Sequence, residues 1–300
     1  MATARKDVEL HSHDFEWEDL ARACEQERAN GASLADEEGS AGAVAELELS
    51  ALAKTRWDEF HQRNKGKAYK PRNYLVKEFP ELFAPERGQV RVLEVGCGYG
   101  SAIFPILAEC PNVVADVCDF SAAAIEILRQ HPQYDAARCN AFVSDITRAD
   151  AFDGRVAAES VDVVLMVFVL SAVPPAAFAP TLRRIAGLLR PGGVVCFRDY
   201  GLYDLAMRRN AKQIAPSLYY RSDGTLAYFF SREDIERLFV QELGLQLLEN
   251  DYCTVRLVNR KKGVTMDRVW LHAKGRKGGA LPHAPASPME RGDDDNKQAQ

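Results

Sequence analysis

A chain of 300 residues, 47% apolar and 27% charged, is long enough to bury one full-size core. Its longest apolar run, near Val161 to Val173, carries Asp162 and is too short to span a bilayer, so no membrane role is expected; seven cysteines without a C-x-x-C pair argue against a disulfide framework or zinc knuckle. The net charge of −5 conceals an asymmetry: residues 1–50 hold 13 acids against 4 bases, Lys54 to Lys77 eight bases against two acids, and Arg256 to Lys277 eight against one. The basic stretches read equally as a phosphate-binding footprint or a solvated face.

In chain order, residues 1–50, rich in Ala, Glu, Gly and Ser, are expected to be an acidic extension without fixed structure, with Asn30 to Gly42 as a linker. They resemble neither an apolar signal peptide nor an Arg-rich transit peptide, so a cytoplasmic or nuclear protein is expected. Residues 51–277 read as one domain, whose first part, 51–88, is basic. Strands are predicted at Val90 to Val95, Val113 to Val117, Ala141 to Val143, Val161 to Leu170 and Val194 to Arg198. Helices are predicted between them at Gly100 to Glu109, Ala122 to His131 and Ala176 to Leu189. This alternation implies an α/β fold with a doubly wound parallel sheet. A helix near Arg232 to Glu242 and two last strands, an interrupted Gln246 to Val258 and Val269 to Ala273, suggest a closing antiparallel hairpin. Residues 278–300, with three prolines and an Asp run, are expected to be a tail without structure.

The segment VLEVGCGYG, Val92 to Gly100, follows a strand and opens a helix. Gly96, Gly98 and Gly100 permit a sharp turn and close approach to a ligand. Alone this pattern is weak, because dinucleotide-binding folds share it. Three acids strengthen it: Glu94 within the strand, Asp119 ending the next one in VCDFS, and Asp145 ending the third in VSDIT. Asp119, about 20 residues past the glycines, is placed to accept ribose hydroxyls, with Phe120 beside it. Asp145 can accept from an adenine amino group while Ile146 covers the ring. Glycines in a plain turn and acids as helix caps are the bland alternative. A nicotinamide site fits less well, since G-x-G-x-x-G spacing and a second domain are missing.

From Trp57 to about Lys277 the chain resembles the tRNA 3-methylcytidine methyltransferases. The matching strings are WDEFHQRN at Trp57 to Asn64, LEVGCGYG, CDFSAAAIE, VDVVLMVFVLSAV, FRDYGLYD, DGTLAYFF, NRKKG and MDRVW. The resemblance implies a class I, Rossmann-like, seven-stranded methyltransferase fold, S-adenosyl-L-methionine as cofactor, and an N-terminal element over it. It also implies cofactor contacts at Trp57, His61 and Val167. The implied reaction is 3-methylcytidine formation at position 32 of a tRNA anticodon loop, with an aminoacyl-tRNA synthetase such as seryl-tRNA synthetase as a partner.

Ring nitrogen 3 of cytosine is a neutral nucleophile, so methyl transfer to it needs no strong base, but the product ring is cationic. Arg198, Asp199 and Tyr200, at the end of the fifth strand, are the candidate catalytic residues: Asp199 as charge partner, Tyr200 as an orienting ring. An internal Arg198 to Asp199 ion pair propping the loop is the alternative. Enzymes acting on exocyclic amines place an Asn/Asp-Pro-Pro-Tyr string after the fourth strand; here that place reads LSAVPPAAF, with Ser171 where the amide or acid would stand. No metal is expected. Candidate RNA contacts are Arg63, Lys65, Lys67, Lys70 and Arg72 in the first basic stretch, Arg208, Arg209 and Lys212, with Arg221 in the same patch, in a segment free of acids from Leu205 to Ser222, and Arg260, Lys261 and Lys262 near the end. A protein or small-molecule methyltransferase of this fold, or a non-catalytic binding subunit, remain as alternatives.

Overall fold

The computed structural model describes residues 13–31, 43–64, 66, 69–83, 88–209, 212–221, 223–259 and 263–279. In chain order the elements are helices α1 (Trp17–Gly31), α2 (Ala43–Asn64) and α3 (Leu75–Glu78), then β1 (Val90–Val95), α4 (Ile103–Glu109), β2 (Val113–Asp119), α5 (Ala122–Arg129), β3 (Cys139–Val143) and β4 (Val161–Val167). They continue with α6 (Phe178–Leu188), β5 (Leu189–Tyr200), α7 (Leu205–Arg208), β6 (Lys212–Ala215), β7 (Leu218–Tyr220), β8 (Leu226–Tyr228), α8 (Arg232–Ile235), β9 (Gln246–Asn259) and β10 (Val264–Arg276).

The main sheet has seven strands in the order β3-β2-β1-β4-β5-β10-β9; the first five are parallel, and the closing hairpin runs antiparallel as expected. Strands β1, β2 and β4 are buried nearly throughout because helices cover both faces of the sheet. One face carries a core around Phe142, Phe197 and Phe239, the other a core around Phe79, Ile103 and Ile125. The order reverses between β1 and β4, which opens a crevice at their carboxyl ends. A second sheet, β6-β7-β8, stands beside that crevice, and Phe229 and Phe230, which follow β8, are fully buried. No helix among the described residues is long and apolar enough to cross a membrane, and all seven cysteines are free and buried.

Four expectations are corrected. β4 stops at Val167 rather than Leu170, because Phe168 takes φ +55° and leaves the ladder. β9 is continuous, with full-length pairing to β10 carrying its polar residues. The helix near Arg232 is α-helical only to Ile235 and then widens into a π-helical stretch, Glu236–Glu242. Part of the acidic extension is folded. Trp17, Leu20, Ala21 and Cys24 lie at helical spacing on α1, Ala21 and Cys24 are buried, and Trp17 stacks on Tyr252 at 4.2 Å. The Trp17 indole N–H donates to the Leu202 carbonyl at 3.2 Å.

Candidate active site

The crevice is a cavity of about 290 Å³ at the carboxyl ends of β1, β2, β4 and β5, roofed by α2. Trp57, His61, Glu94, Gly96, Gly98, Asp119, Phe120, Asp145, Ile146, Val167 and Tyr200 all line it, so every candidate cofactor residue but one, together with Tyr200, meets in one place. Gly100 does not. A Cβ there would lie 2.4 Å from the Phe104 ring, so packing beneath the loop is what demands glycine. Gly96, at φ +66°, is equally constrained: a Cβ would stand 2.3 Å from a Val169 methyl.

Asp119 closes the glycine loop from below. Its Oδ2 accepts from the Gly98 N–H and its Oδ1 from the Ser121 N–H, both at 2.9 Å. Burial raises its pKa against those hydrogen bonds, and burial lowers that of His61 from the roof. The α2 roof is pinned twice: Asp58 accepts from the Ser121 hydroxyl at 2.5 Å, and Lys54 pairs with Asp145. Asp145 also accepts from the Thr147 N–H and hydroxyl; burial works to raise its pKa, but these bonds and Lys54 hold it low.

Glu94 is the unsatisfied carboxylate of the cavity, whose lining also holds the buried, unpartnered ring nitrogens Trp57 Nε1, His61 Nδ1 and Trp270 Nε1. Glu94 is 3% exposed, its Oε2 is buried without a hydrogen-bond partner, and burial pushes its pKa up to about 8 despite the nearby Arg72 guanidinium. Arg72, expected to hold RNA phosphates, instead lies inside the cavity, donating to the Val167 carbonyl at 3.3 Å and lying 4.9 Å from the Phe168 ring centre.

The far end of the cavity is aromatic. Phe168 lies 5.1 Å from Tyr200 and 6.0 Å from Trp270. Two cations around these rings are already engaged: Arg221 donates to the Tyr200 hydroxyl at 3.2 Å, to Asp223 at 2.9 Å and to Thr225 at 3.0 Å, and Arg268 makes a two-pronged pair with the fully buried Asp204 at 2.9 and 3.2 Å. Arg221, expected as a phosphate contact, is thus drawn to the cavity instead, and Phe168, Arg268 and Trp270 were not singled out as site residues along the sequence. Phe168 alone had a local signal, an aromatic directly after Val167, whereas the other two reach the site only through β10.

The fifth-strand trio separates. Tyr200 faces the cavity. Arg198 sits one pleat earlier, 3% exposed, paired with Glu78 and lying 4.7 Å from the Trp270 ring, outside the cavity lining. Asp199 is fully buried on the opposite pleat, so the Arg198 to Asp199 pair does not form. Asp199 accepts from the Ser171 N–H at 3.0 Å and its own Tyr200 N–H at 2.9 Å, and burial lifts its pKa to about 6. Of the candidate RNA contacts, Arg63, Lys70, Arg208, Arg209 and Lys212 are exposed, and Arg208 lies 3.9 Å from Glu27 of α1. Lys65, Lys67, Arg260, Lys261 and Lys262 lie outside the described residues.

Residues 93–195 match the model of a methyltransferase domain. Among solved structures, a Burkholderia thailandensis 1,6-didemethyltoxoflavin-N1-methyltransferase superposes with TM-score 0.54 at 16% identity, covering 78% of this chain and 90% of its own. An S-adenosylmethionine-dependent methyltransferase from Anabaena variabilis gives 0.54 at 17% identity, covering 74% of this chain and 94% of its own; both likenesses bear on the fold. Curated relatives are far more similar in sequence. The human tRNA N(3)-cytidine methyltransferase METTL6 is 42% identical over 75% of this chain and 81% of its own length. The Drosophila melanogaster tRNA N(3)-methylcytidine methyltransferase Mettl2 is 37% identical over 92% and 86%, and Schizosaccharomyces pombe trm140 is 36% identical over 74% and 73%. With a glycine loop, two strand-end acids and a helical roof drawn around one cavity, and with this identity along most of its length, the chain belongs to the tRNA N(3)-cytidine methyltransferase family.

Proposed function

We propose that the cavity takes S-adenosylmethionine at its glycine-loop end and one extruded cytosine at its aromatic end, forming 3-methylcytidine in tRNA at position 32 of the anticodon loop. The observation that carries this reading is the meeting, in one cavity, of the roof residues Trp57 and His61 with Glu94, Asp119 and Asp145 on one side and Phe168, Tyr200 and Trp270 on the other. The residues fit the cofactor on a feature of their own: Glu94 holds a buried oxygen with no partner, which an ammonium group would satisfy, and Arg72 offers a cation for a carboxylate beside it. Asp119 would receive the ribose hydroxyls with the lone pairs its two backbone donors leave free. Asp145 and Ile146 would hold the adenine edge.

When bound, the cofactor supplies a methyl group on a sulfonium, and that carbon–sulfur bond breaks as the bond to cytosine N3 forms. The protein supplies position and dielectric rather than a base, since N3 carries its lone pair at neutral pH. Tyr200 and Phe168 would orient the ring, and their faces favour the cationic product. Exposed Arg63, Lys70, Arg208, Arg209 and Lys212 would take RNA phosphates, with a synthetase such as seryl-tRNA synthetase presenting the tRNA in the cytoplasm or nucleus.

Purified protein, S-adenosylmethionine and tRNA from cells lacking the gene test this reading. Nucleoside mass spectrometry should show new 3-methylcytidine. Methyl transfer to a protein extract but not to tRNA would overturn it.

A further inference from the structure

Ser171 is the middle residue of the 3-10 turn Leu170–Ala172 that follows β4, lines the cavity with Phe168 and Tyr200, and is only 3% exposed. Behind it stands Asp199, fully buried, whose Oδ2 accepts the Ser171 N–H at 3.0 Å. Hydrogen bonding from the Ser171 side chain also works to hold this carboxylate's pKa down against burial. An ionised carboxylate only accepts, so the hydroxyl must spend its one hydrogen on Asp199. What it has left for the cavity is lone pairs. Serine is normally both donor and acceptor, but this one is fixed as an acceptor by the charge behind it.

Resting on the substrate reading above, we infer that Ser171 is the specificity-determining residue that accepts a hydrogen bond from the 4-amino group of the target cytosine. Uracil presents a carbonyl at that position, so two acceptors would face each other in a site with little room for water. The contact also strengthens as methyl transfer proceeds. The N3–methyl bond forms with the N3 lone pair, the carbon–sulfur pair stays on sulfur, and the positive charge passes from sulfur to the ring. Part of it is shared by the 4-amino nitrogen, whose hydrogens become better donors. No proton moves. A hydrogen bond that grows with the charge favours the transition state over the ground state, and Asp199 acts through Ser171 as a positioning residue. This gives the serine in LSAVPP a role different from that of the amide or acid in exocyclic-amine methylating enzymes: it holds the amine as a donor and leaves N3 as the nucleophile.

The test is a two-by-two cycle with the full-length protein and tRNA ligated from a synthetic half carrying, at the target position, either cytidine or its 4-deamino analogue, which keeps N3 but lacks the amine. With the wild type, kcat/KM should fall by about 10- to 100-fold on the analogue, as for loss of a charge-assisted hydrogen bond. Ser171→Ala should lose about the same factor on cytidine and almost none further on the analogue, with cofactor affinity retained. Ser171→Thr, which keeps the hydroxyl, should preserve the discrimination, and it keeps the question answerable if the alanine variant misfolds. Equal losses from Ser171→Ala on both substrates would reduce the residue to a structural role and overturn the inference. Absence of any N3 methylation of tRNA by the wild type would instead overturn the substrate reading beneath it.

Discussion

At the glycine-loop end of the cavity Glu94 is buried with an oxygen unsatisfied and Asp119 is held by two backbone N–H groups, whereas at the β5–β10 end Arg221, Arg268 and Arg198 already have carboxylate partners. The first end has its charge open to a ligand. The second has neutralised its own and shows rings instead: Phe168, Tyr200 and Trp270. An open carboxylate in a poorly hydrated site selects a ligand that brings a cation and hydroxyls. A neutral aromatic slot selects a flat, uncharged one and tolerates a cation that develops later. One cavity can therefore hold two chemically different molecules without their competing for a place.

The largest test of that division is Asp119→Ala, which removes both the ribose acceptor and the anchor of the loop. Cofactor affinity should drop by at least about 100-fold, as for two charge-assisted hydrogen bonds; calorimetry showing near-normal affinity in a folded variant would take Asp119 out of the site. At the other end, Tyr200→Ala should cost about 5- to 100-fold in tRNA methylation, the range for one stacked base, while cofactor affinity stays within about twofold. Tyr200→Phe should retain most of the activity. If both affinities fell together in Tyr200→Ala, the two ends would not be separable.

Glu94 sharpens the comparison through protons. With a pKa near 8 in the ligand-free fold against an ordinary value of 4.5, the folded state binds a proton that the unfolded chain has lost across this window. The ligand-free protein should thus lose stability as pH rises from about 4.5 toward 8. An incoming ammonium favours the ionised form, so cofactor binding at pH 7.5 should release protons. Titration calorimetry in buffers of differing ionisation enthalpy measures this, and zero release would mean that Glu94 does not meet the ammonium. The smallest effect concerns the exterior. Replacing Arg208, Arg209 and Lys212 together by Ala should flatten the slope of log tRNA affinity against log salt by about two to three phosphate contacts, with Arg208 the weakest contributor because Glu27 lies nearby. An unchanged slope would remove this patch from the RNA path.

The same division explains what the sequence disclosed. The glycine-loop end is assembled from strand ends at regular intervals, so local spacing located Glu94, Asp119 and Asp145. The aromatic end is assembled from distant pieces, and Trp270 and Arg221 reach it only because β10 inserts beside β5 and β7–β8 folds back over the crevice. Arg198 shows the limit of reading neighbours as a unit: three consecutive strand residues divide between two faces, and the pleat that shows Tyr200 to the cavity carries Arg198 beneath Trp270. Arg72 shows a related limit: a run of bases reads as one surface, yet two members of this stretch, Lys54 and Arg72, line the cavity. Composition hid α1 as well; its four-residue apolar stripe was legible, but the acids around it dominated. Trp17→Ala should lower stability by about 2 to 3 kcal/mol, less than for a fully buried aromatic because Trp17 is half-buried, or roughly 5 to 10 °C in Tm. An unchanged melting curve would show that α1 is not part of the folded body.

The segment ahead of α1 has a further consequence. β9 is the last strand of the sheet, and His13 bridges it at Thr254, with the Asp14 N–H donating to the Thr254 carbonyl and the Asp14 carboxylate accepting from the Arg256 N–H. These contacts occupy groups on a long edge that would otherwise be a template for another chain's strand. A chain trimmed to the start of its family-like block at Trp57 would keep its glycine loop, acids and rings, yet expose that edge along with the Tyr252 ring that Trp17 covers. Its first failing would be colloidal: molecules that join edge to edge and leave solution before any turnover is measured.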